Sequence, residues 1–236
     1  MTAPHRDRAA PGVPRAIALD GPAAVGKSTV GRLLAERLGY LYFDTGAIYR
    51  ALTWLALNEQ VDIGDGPALA RLAAAHPIVV RADDGAAAGY RVTAGGRDIT
   101  AGLRDPAVDA TISAVSQHAE VRASLLDAQR AVATASPVVM VGRDIGTVVL
   151  PDAGLKVFLE ATPEERARRR FRERLRRGEP AVWADELAST IARDDRDRRR
   201  AHAPLVAAAD AVMVDTDVLD AEGVVTLLLR RLGIDA

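Results

Sequence analysis

"AIALDGPAAVGKST", residues 16–29, is the stretch whose reading decides the fold. Its first part, "AIALD" (16–20), has the length and composition of a buried parallel strand. It runs directly into "GPAAVGKS", Gly21 to Ser28, which fills every fixed position of the pattern G-x-x-x-x-G-K-S. Val30, Leu33, Leu34 and Leu38 then recur at helical spacing until Gly39 stops the helix. Strand, glycine-rich loop and helix in this order form a phosphate-binding loop. The glycines let the backbone curl so that successive N–H groups converge on an anion, and the helix adds the positive end of its dipole. Lys27 is placed to reach the β- and γ-phosphates of a nucleoside triphosphate, and the Ser28 hydroxyl to ligate Mg²⁺. Gly21, Pro22, Ala23, Ala24, Val25, Gly26, Lys27, Ser28 and Thr29 are the expected donor-nucleotide residues.

The weight of that lysine comes from composition. Of 31 basic residues only Lys27 and Lys156 are lysines, so arginine is the default cation and a lone arginine is weak evidence of a site. With 236 residues the chain suits one large α/β domain, or one carrying an insertion. A net charge of −1 argues against a surface built throughout for nucleic acid. The absence of cysteine removes disulfides, thiolate metal sites and thiol chemistry. No apolar run approaches the roughly 20 residues needed to cross a bilayer. "MTAPHRDRAAPGVPR" lacks the apolar core of a signal peptide, so residues 1–14 read as a flexible tail before a domain spanning 15–236. A soluble, cytoplasmic protein with no membrane partner is expected.

Four further runs resemble the first strand: "YLYFD" (40–44), "PVVMVG" (137–142), "LKVFLE" (155–160) and "AVMVDT" (211–216). Short apolar strands alternating with helical patterns predict an α/β fold with a doubly wound parallel sheet, whose ligands bind at the strands' carboxyl ends. One segment departs from that rhythm. Residues 77–104 open with apolar–polar alternation around glycine-rich turns, which predicts a small antiparallel sheet inserted in the α/β body. Helical spacing returns over 105–135.

A phosphate loop serves switches, motors and kinases alike. A guanine-reading switch needs an Asn-Lys-x-Asp element, and the single asparagine, Asn58, stands in the wrong context. Three clusters offer arginine beside a short polar or acidic residue: "DTGAIYR" (44–50), "GRDIGTVV" (142–149) and "RDDRDRRR" (193–200). Such pairs suit a second phosphate next to a polar base or sugar. Together with the phosphate loop, "DTGAIYR", "GRDIGTVVLPDAGLKVFLEATPEERARRR" and "RDDRDRRRAHAPLVAAADA" resemble bacterial cytidylate kinases, in order and in spacing, over nearly the whole chain after the tail.

That resemblance implies transfer of the γ-phosphoryl group of ATP to CMP or dCMP, on a five-stranded P-loop kinase sheet of order 2-3-1-4-5. It implies that the 77–104 insertion belongs to a CMP-binding region and that residues 164–185 form a helical lid. Arg50 and Arg143 would hold the CMP phosphate. Thr45, Ser113, Arg122, Asp144 and Arg200 would surround the cytosine with Tyr49 close by, and Arg193 and Asp197 would contact the sugar. Position 45 is threonine where some members have serine, and the hydroxyl is kept. ATP is then co-substrate, Mg²⁺ the cofactor and a monomer the expected state.

The residues support several of these roles on their own chemistry. A carboxylate is the natural acceptor for the N4 amino group of cytosine, whereas uracil offers a carbonyl there, so Asp144 suits base reading. An acid at a strand end beside a phosphate loop also suits orienting Mg²⁺ or its waters, and a turn-capping role is the plain structural alternative. The acceptor phosphate is mostly dianionic near neutral pH, with a second pKa of about 6, so no strong general base is required. Lys27, Mg²⁺ and arginines would supply positioning and neutralisation. Arg166 and Arg170, one helical turn apart, are the candidate phosphate ligands of the lid, its other arginines being read mainly as solvated face. Asp20 is read either as touching the hydration shell of Mg²⁺ or as a cap. His5, His76, His118 and His202 show no metal-ligand spacing and are read as surface or partly buried structural groups.

Within "RDDRDRRR", positions 193, 197 and 200 share one helical face, while Asp194, Asp195, Arg198 and Arg199 are assigned to solvated sides and Arg196 to the reach of the phosphates. Two rivals remain at this level: a phosphate-loop kinase for another small acceptor, such as another nucleotide or shikimate, and an RNA-binding module with a regulatory phosphate loop. The second wants aromatic stacking surfaces, yet aromatics make up only 4% of the residues.

Overall fold

The computed structural model describes residues 12–83, 85–86, 88–199 and 203–235. In chain order the elements are β1 (Ala16–Asp20), α1 (Lys27–Leu38), β2 (Leu41–Asp44), α2 (Gly46–Asn58), α3 (Gly66–Ala75), β3 (Ile78–Ala82), β4 (Tyr90–Ala94) and β5 (Arg97–Asp98). There follow α4 (Pro106–Val115), α5 (Ala119–Ala135), β6 (Val138–Val141), β7 (Leu155–Glu160), α6 (Pro163–Arg176), α7 (Trp183–Arg198), β8 (Val212–Asp215) and α8 (Ala221–Arg231). A short 3₁₀ turn spans Ala101–Arg104 and a π-helical turn spans Ile145–Val149.

Five strands form a parallel sheet of order β2-β6-β1-β7-β8, the predicted 2-3-1-4-5 topology. Burial follows position in that order. All of β6 and the last four residues of β1 are buried, which is why both read as continuous apolar runs, whereas edge strand β8 is mostly open. Val30 and Leu34 of α1 pack with Leu19, Val141 and Val157 of the sheet and with Val225 and Leu228 of α8. Each such side chain contributes about 1.5–3 kcal/mol on burial. Gly39 ends α1 in the left-handed region at φ 67°, and the Tyr40 N–H returns to the Ala35 carbonyl at 2.8 Å.

The chain divides into two compact units. One comprises the chain up to Tyr42 and from Pro137 onward; the other is Phe43–Ser136. The expected small sheet is present in the second, in the antiparallel order β3-β4-β5. Tyr90, Val92 and Ala94 alternate inward along β4, and Gly95 and Gly96 turn the chain at φ 56° and 80°, the two positive values of a type I′ hairpin. Helices α2 to α5 complete that unit, so it is considerably larger than residues 77–104.

Of the tail expected over 1–14, residues 1–11 lie outside the described residues, while Val13 is buried in the core cluster. Among the described residues no helix is long and apolar enough to cross a membrane.

Candidate active site

Gly21 takes φ 146°, and a Cβ there would stand 2.3 Å from the Leu159 carbonyl oxygen, so only glycine fits where the loop leaves β1. Ala24 and Gly26 also adopt positive φ, curling the chain into α1. Gly26 holds the N-cap position and has no side chain with which to cap the first turn. Lys27 is buried, and its Nζ donates to the carbonyls of Gly21 (2.8 Å) and Pro22 (2.5 Å). Ser28 and Thr29 are exposed. The loop is also braced from outside, since Thr216 Oγ1 lies 3.1 Å from the Val25 carbonyl and takes a hydrogen bond from Arg169.

The loop after β6 begins with Arg143, whose Nε donates to Asp197 Oδ2 (2.9 Å) and whose Nη1 donates to the Gly21 carbonyl (3.3 Å). Asp144 is buried and stands at the N-cap of the π-helical turn, which closes through Val149 N–H to Asp144 O and Leu150 N–H to Ile145 O. Its side chain does not cap that turn. The capping role falls to Asp20 instead, which accepts from the N–H groups of Ile145 (2.8 Å) and Gly146 (2.7 Å). Burial pushes the Asp20 carboxyl up to about 6; the two backbone N–H groups pull it down, the Asp144 charge adds to the rise and Lys27 opposes it.

Helices α6 and α7 form an ionic ladder. Arg166, only 1% exposed, donates through Nη1 and Nη2 to the two oxygens of Asp194, and through Nη1 also to the Ala23 carbonyl of the phosphate loop at 3.3 Å. Its Nε donates to the Ala161 carbonyl at 3.1 Å. One turn on, Arg170 Nε lies 3.6 Å from Glu186, and Arg174 donates to the same carboxylate at 2.6 Å. Arg168 pairs with Glu165 and Arg177 with Glu173, as expected of the solvated face, whereas Arg169, half-buried, pairs with Glu165 and also donates to Thr216 Oγ1 and to the Thr216 carbonyl, a role the sequence reading did not give it.

Helix α7 differs from the sequence expectation at Asp194. Asp194 is not on a solvated side; it is 3% exposed and fully committed to Arg166. Glu186, Thr190, Asp194 and Asp197 together form the buried face, a helical period written in polar residues. That spacing is the signal in the sequence, and a search for apolar periodicity passes over it. Arg193 is half-buried, Asp195, Arg196, Arg198 and Arg199 are exposed, and Arg200 lies outside the described residues.

The remaining predicted residues lie in the second unit. Thr45 is buried at the N-cap of α2, where Asp44 accepts the Gly46 N–H at 2.9 Å. Tyr49 is buried, with the Arg122 guanidinium 5.4 Å from its ring centre, and Arg122 also donates to the Ser116 carbonyl. Arg50 pairs with Asp109 at 2.8 Å, and Ser113 is exposed on α4. His76 pairs with Glu59 and His118 Nε2 lies 2.9 Å from the Ile63 carbonyl, both structural roles; His5 and His202 lie outside the described residues.

Relatives of known description match over nearly the whole chain. The sequence model of the family described as "Cytidylate kinase" matches residues 17–233. A cytidylate kinase of Pelotomaculum thermopropionicum is 48% identical over 92% of this chain and 95% of its own. Cytidylate kinases of Exiguobacterium sp. (46% identical, 91% and 94% covered) and Herpetosiphon aurantiacus (45%, 94% and 96%) are similar. With a phosphate loop, an Arg143–Asp144 loop bound to it and matches of this extent, the chain belongs to the cytidylate kinase family.

Proposed function

We propose that the chain transfers the γ-phosphoryl group of ATP to CMP or dCMP, giving ADP and CDP or dCDP. The observation that carries this reading is the tie between the two loops: Arg143 donates to Gly21 with one nitrogen and to Asp197 with another. An acceptor phosphate held by Arg143 is thereby kept beside the donor loop, and the reaction becomes one of positioning between two bound nucleotides.

Lys27, which caps two loop carbonyls here, exchanges them for β- and γ-phosphate oxygens. Asp144 accepts from the N4 amino group of cytosine; the same carboxylate facing the uracil carbonyl would leave two acceptors opposed in a closed site. Asp197 keeps Arg143 oriented and, with Arg193, takes the sugar. Arg166 and Arg170 are the arginines of α6 nominated for the phosphates, Arg166 by turning from Ala23 O while keeping Asp194. The roles assigned by resemblance to Thr45, Tyr49, Arg50, Ser113, Arg122 and Arg200 belong to the same proposal, as does a lid over 164–185. Ser28, exposed at the start of α1, would hold Mg²⁺. That ion supplies neutralisation of the charge on the β- and γ-phosphates when bound. Both Asp20 oxygens are engaged by backbone N–H groups, so Asp20 is not counted among its ligands. A cytoplasmic monomer that engages neither polymeric nucleic acid nor membrane completes the reading.

A coupled ADP-release assay across CMP, dCMP, UMP, AMP and shikimate tests it. Fastest turnover with CMP or dCMP is expected, and fastest turnover with any other acceptor overturns the assignment.

A further inference from the structure

Asp20 takes no part in the chemistry above, yet it is buried immediately before the phosphate loop and commits both oxygens to the backbone of another loop. Its partners, the N–H groups of Ile145 and Gly146, open the π-helical turn that directly follows Arg143 and Asp144. An acid at an N-cap ordinarily spends its own side chain on the turn it starts. Here the cap arrives from β1, and the Asp144 carboxylate is excused from that task. Lys156 backs the same turn. A Cβ on Gly146 would stand 3.3 Å from Lys156 Cγ and Cδ and 3.4 Å from Asp20 Oδ2, so Gly146 packs between the two side chains. The Lys156 ammonium is anchored by both oxygens of Asp210, at 3.0 and 2.9 Å. One of the two lysines of the chain is thus explained by packing rather than by phosphate binding.

We propose that Asp20 is a positioning residue for acceptor recognition: its carboxylate fixes the backbone of Ile145 and Gly146 and thereby aims Arg143 and Asp144 at a nucleotide beside the phosphate loop. The acceptor being CMP rests on the function proposed above; the positioning role does not. Two N–H groups converge on one carboxylate, an arrangement an amide cannot reproduce. An asparagine would satisfy one N–H and turn its own NH₂ donor toward the other, leaving buried donors opposed. The loop would shift, and a displacement of about 1 Å in a positioning group is enough to cost ~10²-fold in rate.

The test is calorimetric titration of CMP into the protein without Mg²⁺ or ATP. Asp20→Asn and Asp20→Glu are expected to weaken CMP binding by ~10-fold or more, while a non-hydrolysable ATP analogue, also without Mg²⁺, changes by less than ~3-fold. The glutamate keeps the charge, so a loss shared by both variants reports geometry. CMP affinity within ~2-fold of wild type in both variants overturns the proposal, as does a shifted Mg²⁺ requirement with CMP binding unchanged, which would assign Asp20 to the metal. Should the acceptor panel select another compound, it replaces CMP in the same titration, so the two readings fail separately. If neither variant folds, amide exchange in the wild-type protein decides: slow exchange at both Ile145 and Gly146 supports the clamp, and fast exchange at either removes it.

Discussion

Arg143 Nε donates to Asp197 Oδ2 at 2.9 Å, joining the loop after β6 to α7 across 54 residues of sequence. Both are expected to touch the acceptor, so their pairing orients two contacts at once. A double-mutant cycle of Arg143→Ala and Asp197→Asn should show a coupling of about 1–3 kcal/mol in CMP affinity. Additive losses would mean that the pair forms without shaping the site.

Lys27 bridges the carbonyls of Gly21 and Pro22 at 2.8 and 2.5 Å, so the loop presents its ammonium before a phosphate arrives. Lys27→Ala should lower kcat by at least ~10²–10³-fold, the scale of losing one preorganised electrostatic donor. CMP affinity should stay within ~3-fold in the same variant, because Lys27 serves the donor side. Full activity would exclude the loop from catalysis.

Asp144 is buried and its side chain does not cap the turn it begins, so base reading and metal orientation are the two roles to separate. Asp144→Asn should reduce activity with CMP and narrow its advantage over UMP, measured as a ratio of kcat/KM values. An unchanged ratio accompanied by an altered Mg²⁺ dependence would transfer the residue to the metal.

Apart from the phosphate role proposed for Arg166, the Arg166–Asp194 pair bears on stability. Arg166→Ala leaves the Asp194 carboxylate buried without its bidentate partner and should cost about 3–5 kcal/mol. Replacing both residues with apolar side chains of similar volume should cost much less. Urea unfolding, read from midpoints at unchanged slope, distinguishes the two.

The raised pKa of Asp20 makes a prediction with a definite sign. Between its ordinary value of 3.8 and about 6 the folded protein binds more protons at this residue than the unfolded chain does. Stability contributed by this group is therefore greatest below pH 3.8, falls as pH rises through that window, and levels off above about 6. At about 1.4 kcal/mol per pH unit the fall amounts to ~3 kcal/mol. Asp20→Asn should remove that component from the pH dependence of unfolding. A slope that is the same in wild type and variant over pH 4 to 6 would show that Asp20 does not titrate there.

Much of the molecule was legible before any coordinates. The five parallel strands fall within one residue of the predicted runs at either end; for β1 and β6 the reason is that a strand buried on both faces must be apolar at successive positions. The hairpin at Gly95–Gly96 and the stop at Gly39 were legible for a similar reason, each being a local backbone demand that glycine meets. Asp194 was misread because its helix turns a polar face inward. Ile191 and Leu175, which an apolar count would bury, are exposed instead.

The phosphate loop and the strand runs were thus legible in the sequence, since they depend on near neighbours and on the spacing of residue types, whereas the strand order, which pairs β1 with strands more than 100 residues away, came only with the family resemblance. Tertiary structure decided the partners of the charges. Asp20 finds its two N–H groups 125 and 126 residues away, and Arg166 finds its carboxylate 28 residues away. In a chain so rich in arginine and acid, composition offers every charge many equivalent partners. Only folding selects among them, because a buried charge is tolerated when its hydrogen bonds are complete, and completeness is a property of the three-dimensional arrangement.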